Sequence, residues 1–239
     1  MVKTPLPQGF LPIPPLESGD SEALLRSADR LNRYEFERRY NAMRSLKKAE
    51  LIEGVVYLPA ALRFRSHAEP HGNLMDWLWT YKISTPGVEL GDNPTVRLDL
   101  DNEPQPDAVL LINENCGGQA RLSQDDYVEG APELVVEIAA SSVAIDLHNK
   151  KRAYRRNGVQ EYIVWQVFEQ RLDWFYLQQG EYVSLPVDEE GVIQSRVFPG
   201  LWLAASDLLA GNIARVLSVL QEGLASGEHG MFVQQLAEK

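Results

Sequence analysis

Two carboxylates and an ammonium set the chemical possibilities of this chain. Asp107 follows Pro106 and opens the apolar run 108–112, and Glu137 lies near the close of a second apolar run, 132–138. Beyond it comes a basic segment carrying Lys150 and Lys151. Gathered at a sheet edge, such groups can hold a divalent metal and prepare water to attack a phosphodiester. Mg²⁺ prefers oxygen ligands and keeps several waters, so two carboxylates with a backbone carbonyl make a sufficient protein shell. The ion polarises the scissile phosphate and lowers the pKa of bound water. A lysine can orient that water and balance the charge growing on phosphorus. The alternative is a folded domain whose acids are merely solvated, since acids at strand ends are common.

The elements that must position these groups are legible in outline. Residues 1–19 are rich in proline and glycine and read as an extended arm. A helical pattern starts near Ser21 and is clearest over 31–46; after Gly54 a strand is expected over 55–58. The apolar spacing of Leu74, Trp77, Leu78 and Tyr81 predicts a helix facing a sheet, best started at Pro70, which lacks an N–H to lose. Strands follow over 88–90, 95–100, 107–112 and 134–138, with an irregular stretch over 113–130. Ser141 or Ser142 caps a helix running to Arg156, which Asn157-Gly158 ends. Further strands are expected over 161–165, 171–177, 182–185 and 192–197, then a helix from Ser206 toward Val219 and a last one over 230–236. The order implies a mixed sheet with helices packed against it.

In a strand buried on both faces an acid needs a partner or a metal, which makes Glu137 the sharpest candidate. Glu133 is expected at the surface, at the strand entrance, and Glu161 marks the start of a core strand. Asp146 precedes Lys150 by four residues and could orient it; its plain alternative is a first-turn acid favoured by the helix dipole. Lys151 is the rival ammonium, about 100° away on a helix. His71 reads first as a packed or hydrogen-bonded residue, with a cleft-lining or base role as the rival. His67 and His148 are expected on the solvent side and His229 in the tail. Trp77, Trp165, Trp174 and Trp202 fit a core or interface better than base-stacking platforms, since none sits in a basic aromatic patch.

Composition bounds the partners. The 239 residues, 44% hydrophobic and 24% charged, lie in the ordinary globular range. No apolar stretch is long enough to span a bilayer. The first twenty residues, with five prolines and one lysine, do not read as a secretory signal, so the cytoplasm is expected. The lone Cys116 excludes an internal disulfide and a multi-cysteine zinc site, and nothing in the sequence supplies it with a base. A formal charge of −11, from 23 basic and 34 acidic residues, argues against tight nonspecific nucleic-acid binding. It leaves a nuclease open, because the basic residues cluster over 26–48 and 150–156 and a dimer could align them.

The strings Pro106-Asp107, Gly130-Ala-Pro-Glu-Leu-Val-Val-Glu-Ile138, Asp146-Leu-His-Asn-Lys150-Lys-Arg-Ala-Tyr154 and Gly158-Val-Gln-Glu-Tyr162 together resemble a restriction-endonuclease-like family. This Uma2-like family, common in cyanobacteria, falls within the PD-(D/E)XK nuclease superfamily. The segment 50–54, His71 and the stretch from Pro199-Gly200-Leu-Trp202 through the closing helix add to the likeness, which covers roughly residues 30–235. The resemblance implies an α/β (α+β) fold: a restriction-endonuclease-like core with a mixed β-sheet flanked by helices. It implies Asp107 and Glu137 as metal ligands and Lys150 as the catalytic lysine reaching in from the second helix. Glu50, from the first helix, would be a supporting acid, with His71 and Asp146 also in support. The superfamily's usual lysine, two residues after the glutamate, is replaced here by Ala139.

The expected organisation is an extended arm over 1–29, a restriction-endonuclease-like domain over 30–205, and a C-terminal helical extension over 206–239, packed on or swapped between subunits. The expected function is Mg²⁺-dependent (or Mn²⁺-dependent) hydrolysis of DNA phosphodiesters by a homodimer, with no membrane partner. The first alternative is a nuclease-fold protein that binds or scaffolds without turnover. The second is a metal hydrolase acting on something other than nucleic acid, because fold does not fix substrate.

Overall fold

The computed structural model describes residues 24–58 and 61–239. The arm expected over 1–19 and the helical onset near Ser21 lie outside them. Helix α1 (Arg33–Ala42) starts where the Asn32 side chain accepts the Glu35 N–H at 3.0 Å, a cap for an otherwise orphaned donor. Strands β1 (Glu50–Ile52) and β2 (Val55–Tyr57) form a hairpin turned at Glu53 and Gly54, both at positive φ, as two-residue hairpin turns require. A π-helical turn over Phe64–Ala68 runs directly into α2 (Glu69–Ser84). Pro70 sits in the first turn of that α-helical stretch, which begins one residue before the start expected from sequence.

The remaining strands are β3 (Val88–Asp92), β4 (Val96–Arg97), β5 (Ala108–Ile112), β6 (Arg121–Leu122), β7 (Val128–Glu129) and β8 (Leu134–Ala139). After a second π-helical turn, Ile145–Lys150, come α3 (Lys151–Asn157), β9 (Glu161–Gln166), β10 (Arg171–Gln178), β11 (Glu181–Ser184), β12 (Val192–Gln194) and β13 (Trp202–Ala204). The chain closes with α4 (Ala205–Leu209), α5 (Ile213–Leu224) and α6 (Gly227–Ala237). The single helix expected from Ser206 toward Val219 is in fact two, broken at Gly211, whose φ of +76° is left-handed. The irregular stretch over 113–130 holds β6 and β7, which join β4 in a small three-stranded sheet. Strands of two residues are too short to leave a periodic signal.

Six strands form the main sheet in the order β11-β10-β9-β8-β5-β3. Neighbours are antiparallel except β8 and β9, which are parallel and joined through the second π-turn and α3. The fold is therefore a mixed sheet flanked by helices, as expected. One face packs Ala108, Leu110, Leu134, Val136 and Ile163 against Leu74, Trp77 and Tyr81 of α2 and Val216 and Leu220 of α5. The Trp77 indole donates to the Trp202 carbonyl at 2.9 Å and the Tyr81 hydroxyl to the Pro199 carbonyl at 2.9 Å, so both large rings bury without losing a polar partner. The other face packs Val109, Val135, Ala139 and Val164 beneath Tyr154 of α3 and the small sheet. Residues 107 and 137 alternate with the inward residues of the first face, so both carboxylates lie on the second.

Candidate functional site

Strand β8 is buried along its whole length, yet carries Glu137 in the middle of an apolar run. Its partner comes from the π-turn. Lys150 Nζ donates to Glu137 Oε1 at 2.9 Å, and the Tyr154 hydroxyl donates to the same oxygen at 2.8 Å. The ammonium also meets Glu50 Oε1 at 2.8 Å and Asp146 Oδ1 at 3.6 Å. Glu137 and Lys150 are 3% and 5% exposed, so this is a desolvated network and its acids are not solvated strand-end charges. Both Asp146 oxygens are buried without a well-formed hydrogen bond. Its backbone carbonyl, by contrast, accepts the Tyr162 hydroxyl at 3.0 Å.

The charges do not balance, and the titration of the group follows. Burial opposes the charge on Lys150, but Glu137, Glu50 and Asp146 outweigh it and hold the ammonium well above its ordinary range. Burial pushes Glu137 well up; Lys150 opposes this, and the neighbouring Asp146, Glu50 and Asp107 add to it. Burial raises Asp146 as well, against the pull of Lys150 and Ser142. Of the Lys150–Glu137 pair, the charge on Lys150 is the secure one: three carboxyl groups face a single ammonium. The surplus negative charge is relieved by a proton on the acids or by a cation.

Asp107 sits at the mouth of β5 beside this network. Its Oδ2 accepts the Ile138 N–H at 2.7 Å, tying the two central strands together. Its Oδ1 lies 3.2 Å from His67 Nε2 and 3.8 Å from Lys48 Nζ. Burial acts to raise Asp107, but the His67 hydrogen bond, Lys48 and the Ile138 N–H prevail and hold it below the usual carboxylate value. His71 Nε2 lies 3.2 Å from both the Asp107 carbonyl and Asp92 Oδ1. Both neighbours are acceptors, so this nitrogen carries the proton and His71 is a hydrogen-bonded residue.

Several expectations need correction. Glu50 does not come from the first helix: it opens β1, where its Oε1 also accepts the Gln105 N–H at 2.8 Å. His67 is not on the solvent side but touches Asp107. Glu133 is buried and accepts the Ile112 and Gln119 N–H groups at 2.9 and 2.8 Å. His229 is buried, with Nε2 3.0 Å from the Thr85 hydroxyl. Lys151 turns away, its ammonium 3.3 Å from the centre of the Phe175 ring. Glu161, by contrast, opens β9 as expected and stays outside the network, accepting from Trp174, Ser195, Arg196 and Val197. The sequence reading missed Tyr154 and Lys48. Tyr154 had a signal, standing four residues after Lys150 and eight after Asp146. His67 had one too, four residues before His71, obscured by starting the helix at Pro70.

A magnesium ion asks for hard oxygen donors and is served by one or two carboxylates, with water completing its shell. The donors here are oxygens, and the buried Asp146 carboxylate shares its one close cation, Lys150, with Glu137 and Glu50. In kind, the residues fit. In arrangement, no group of three His, Cys, Asp or Glu side chains among the described residues is gathered for a metal. No helix among the described residues is long and apolar enough to cross a membrane.

Comparison with known proteins places this geometry. A crystal structure described as that of "a putative nuclease belonging to DUF820 from Anabaena variabilis ATCC 29413" superposes with a TM-score of 0.50, over 75% of this chain and 97% of that one. Identity is 14%, so the likeness shows the fold alone. No protein of curated function matches. Residues 33–206, from the start of α1 into α4 and including every residue of the buried network, match the model of the family described as "Uma2: Putative restriction endonuclease". The chain belongs to the Uma2 family of nuclease-like proteins, and its mixed sheet flanked by helices is consistent with a PD-(D/E)XK-like core.

Proposed function

We propose that this protein is a Mg²⁺-dependent endonuclease, also served by Mn²⁺, that hydrolyses DNA phosphodiesters as a homodimer. One observation carries the reading: Glu137 and Lys150 meet at 2.9 Å within a group of acids whose negative charge exceeds the local positive charge. When bound, a divalent ion supplies charge to the scissile phosphate and acidity to its water. Asp107 and Glu137 would hold it, with Glu50 and Asp146 adding negative potential. The role of Lys150 is to keep a positive charge, fixed by Glu50 and Glu137, beside the phosphate as its charge grows. Tyr154 holds the Glu137 carboxylate in place, and the Ile138 N–H does the same for Asp107.

A second reading also has support. Lys150 and Glu137 are buried and already paired, as in a nuclease-fold protein that binds without turnover. Plasmid nicking with Mg²⁺ or Mn²⁺ separates the two, comparing the natural protein with Asp107→Ala and Lys150→Ala. Cleavage lost in both variants is the expected result. A natural protein that binds DNA and never nicks it would favour the silent reading. Full activity in either variant would remove that residue from the mechanism.

A further inference from the structure

Two segments that contain no acid end at the same carboxylate. Residues 43–49, between α1 and β1, carry Arg44, Lys47 and Lys48, and residues 61–68, leading into α2, carry Arg63, Arg65 and His67. Each segment delivers one side chain to Asp107 Oδ1: Lys48 Nζ at 3.8 Å and His67 Nε2 at 3.2 Å. Lys48 also donates to Asn93 Oδ1 at 3.1 Å. Both segments therefore stand at the mouth of the site, on its solvent side: the Lys48 side chain is 25% exposed, where that of Lys150 is 6%. Away from these two contacts the segments reach into water. Arg44, Lys47, Arg63 and Arg65 are exposed, and so are Leu62 and Phe64, each at 67%.

The charges on these segments are not answered within the chain. Elsewhere Arg33, Arg97, Arg121, Arg152 and Arg156 each meet a carboxylate at 3.5 Å or less. Arg44, Lys47 and Arg63 meet none among the described residues. Arg65 is bonded to Glu69, and Asp92 at the same mouth is engaged by His71. A chain of net charge −11 thus keeps unpaired cations on the two segments that reach a site carboxylate, where they would draw a polyanion toward it. Set between Arg63 and Arg65, the exposed Phe64 ring adds a second kind of contact. Cations interleaved with an aromatic suit a nucleic-acid strand, which offers phosphates to the first and bases to the second. A merely anionic partner would leave Phe64 unused. We infer that segments 44–48 and 62–67 form the DNA-contacting rim of the site, with Arg44, Lys47 and Arg63 on phosphates flanking the scissile one and Phe64 against a base. This rests on the nuclease reading above and adds to it the surface that takes the strand.

Fluorescence anisotropy of a labelled DNA duplex, titrated in Ca²⁺ at several KCl concentrations, tests the rim without asking for turnover. The natural protein is expected to bind. Arg44→Gln, Lys47→Gln and Arg63→Gln should each weaken binding and lower the slope of log affinity against log salt by about 0.9, the share of one phosphate contact. Phe64→Ala should weaken binding about fivefold or more with the slope unchanged, and Phe64→Tyr should restore it. Arg215→Gln, on α5 and already paired with Glu222 at 3.0 Å, should change neither. Every exchanged side chain is exposed, so circular dichroism should report the natural fold throughout. Natural affinity and slope in the three cation variants would overturn the phosphate contacts, and natural affinity in Phe64→Ala would overturn the base contact; either leaves the nuclease reading standing. A natural protein that binds no duplex would overturn the rim and the DNA substrate together. Nicking in Mg²⁺ reports separately on the chemistry, and its failure with binding intact would sink the chemistry alone.

Discussion

Replacing Lys150 by methionine removes the one positive charge among three buried carboxyl groups while keeping most of the side-chain volume. The ammonium lies 2.8 Å from Glu50, 2.9 Å from Glu137 and 3.6 Å from Asp146. At an effective dielectric constant of about 20, each such contact carries roughly 5–6 kcal/mol of gross attraction. Several kcal/mol of desolvation per buried ion offset most of it, so the net loss on breaking a buried pair is about 3–5 kcal/mol. In a domain of this size that is a fall in Tm of about 6–20 °C. The loss must also depend on pH. Lys150 holds Glu137 down, so without it Glu137 rises further and the folded variant takes up protons that the unfolded chain releases. Its stability therefore falls more steeply than that of the natural protein as pH rises above the ordinary carboxylate range. Added Mg²⁺ should restore part of it, since a ligand bound only by the folded state stabilises that state. Urea unfolding at pH 5 and pH 8, with and without Mg²⁺, measures all three effects. A loss below about 1 kcal/mol that is the same at both pH values would refute the buried-network argument.

Tyr154→Phe leaves the packing intact but strips Glu137 Oε1 of the hydroxyl that donates to it at 2.8 Å; urea midpoints should fall by the equivalent of about 1–3 kcal/mol, and an unchanged midpoint would mean the bond contributes nothing. Glu161 is raised by burial to about 7 from an ordinary 4.5, despite its four donors. Between those values the folded state binds more protons than the unfolded one, so this group favours folding at low pH and loses about 3 kcal/mol as pH climbs through the window. Glu161→Gln should flatten that slope while leaving one donor unpaired, making the variant less stable than the natural protein at pH 5 and closer to it at pH 8; parallel pH profiles would contradict this.

Much of the core could be read from local pattern. The apolar run 134–138 carries its burial on its face, and an acid inside it could only be paired, which is why Glu137 stood out. The spacing of Leu74, Trp77, Leu78 and Tyr81 similarly announced the sheet-facing side of α2. What escaped was made by contacts distant in sequence. Glu50 reaches Lys150 because β1 bonds to the chain around Glu103, and no periodicity in a three-residue strand reveals that. Glu133 looked like a surface acid because its donors, Ile112 and Gln119, arrive from another strand and a loop.

The lysine shows most clearly how local geometry completes what spacing leaves open. With Ala139 where the superfamily has its lysine, an ammonium from the following helix must reach back to Glu137 and share its face with Asp146 and Tyr154. In a continuous α-helix two successive four-residue steps advance about 40° each, carrying Tyr154 roughly 80° from Asp146. The π-turn over Ile145–Lys150 has more residues per turn, about 4.4, so its four-residue step falls short of a full circle by roughly 30°. The α-helical step from Lys150 to Tyr154 then moves forward about 40°, and the two nearly cancel. Asp146, Lys150 and Tyr154 are thereby brought onto one face, so that all three can meet a single glutamate's surroundings. The wide turn does the work that a lysine on β8 would otherwise do: it delivers the positive charge to Glu137 from a neighbouring element and carries the tyrosine with it.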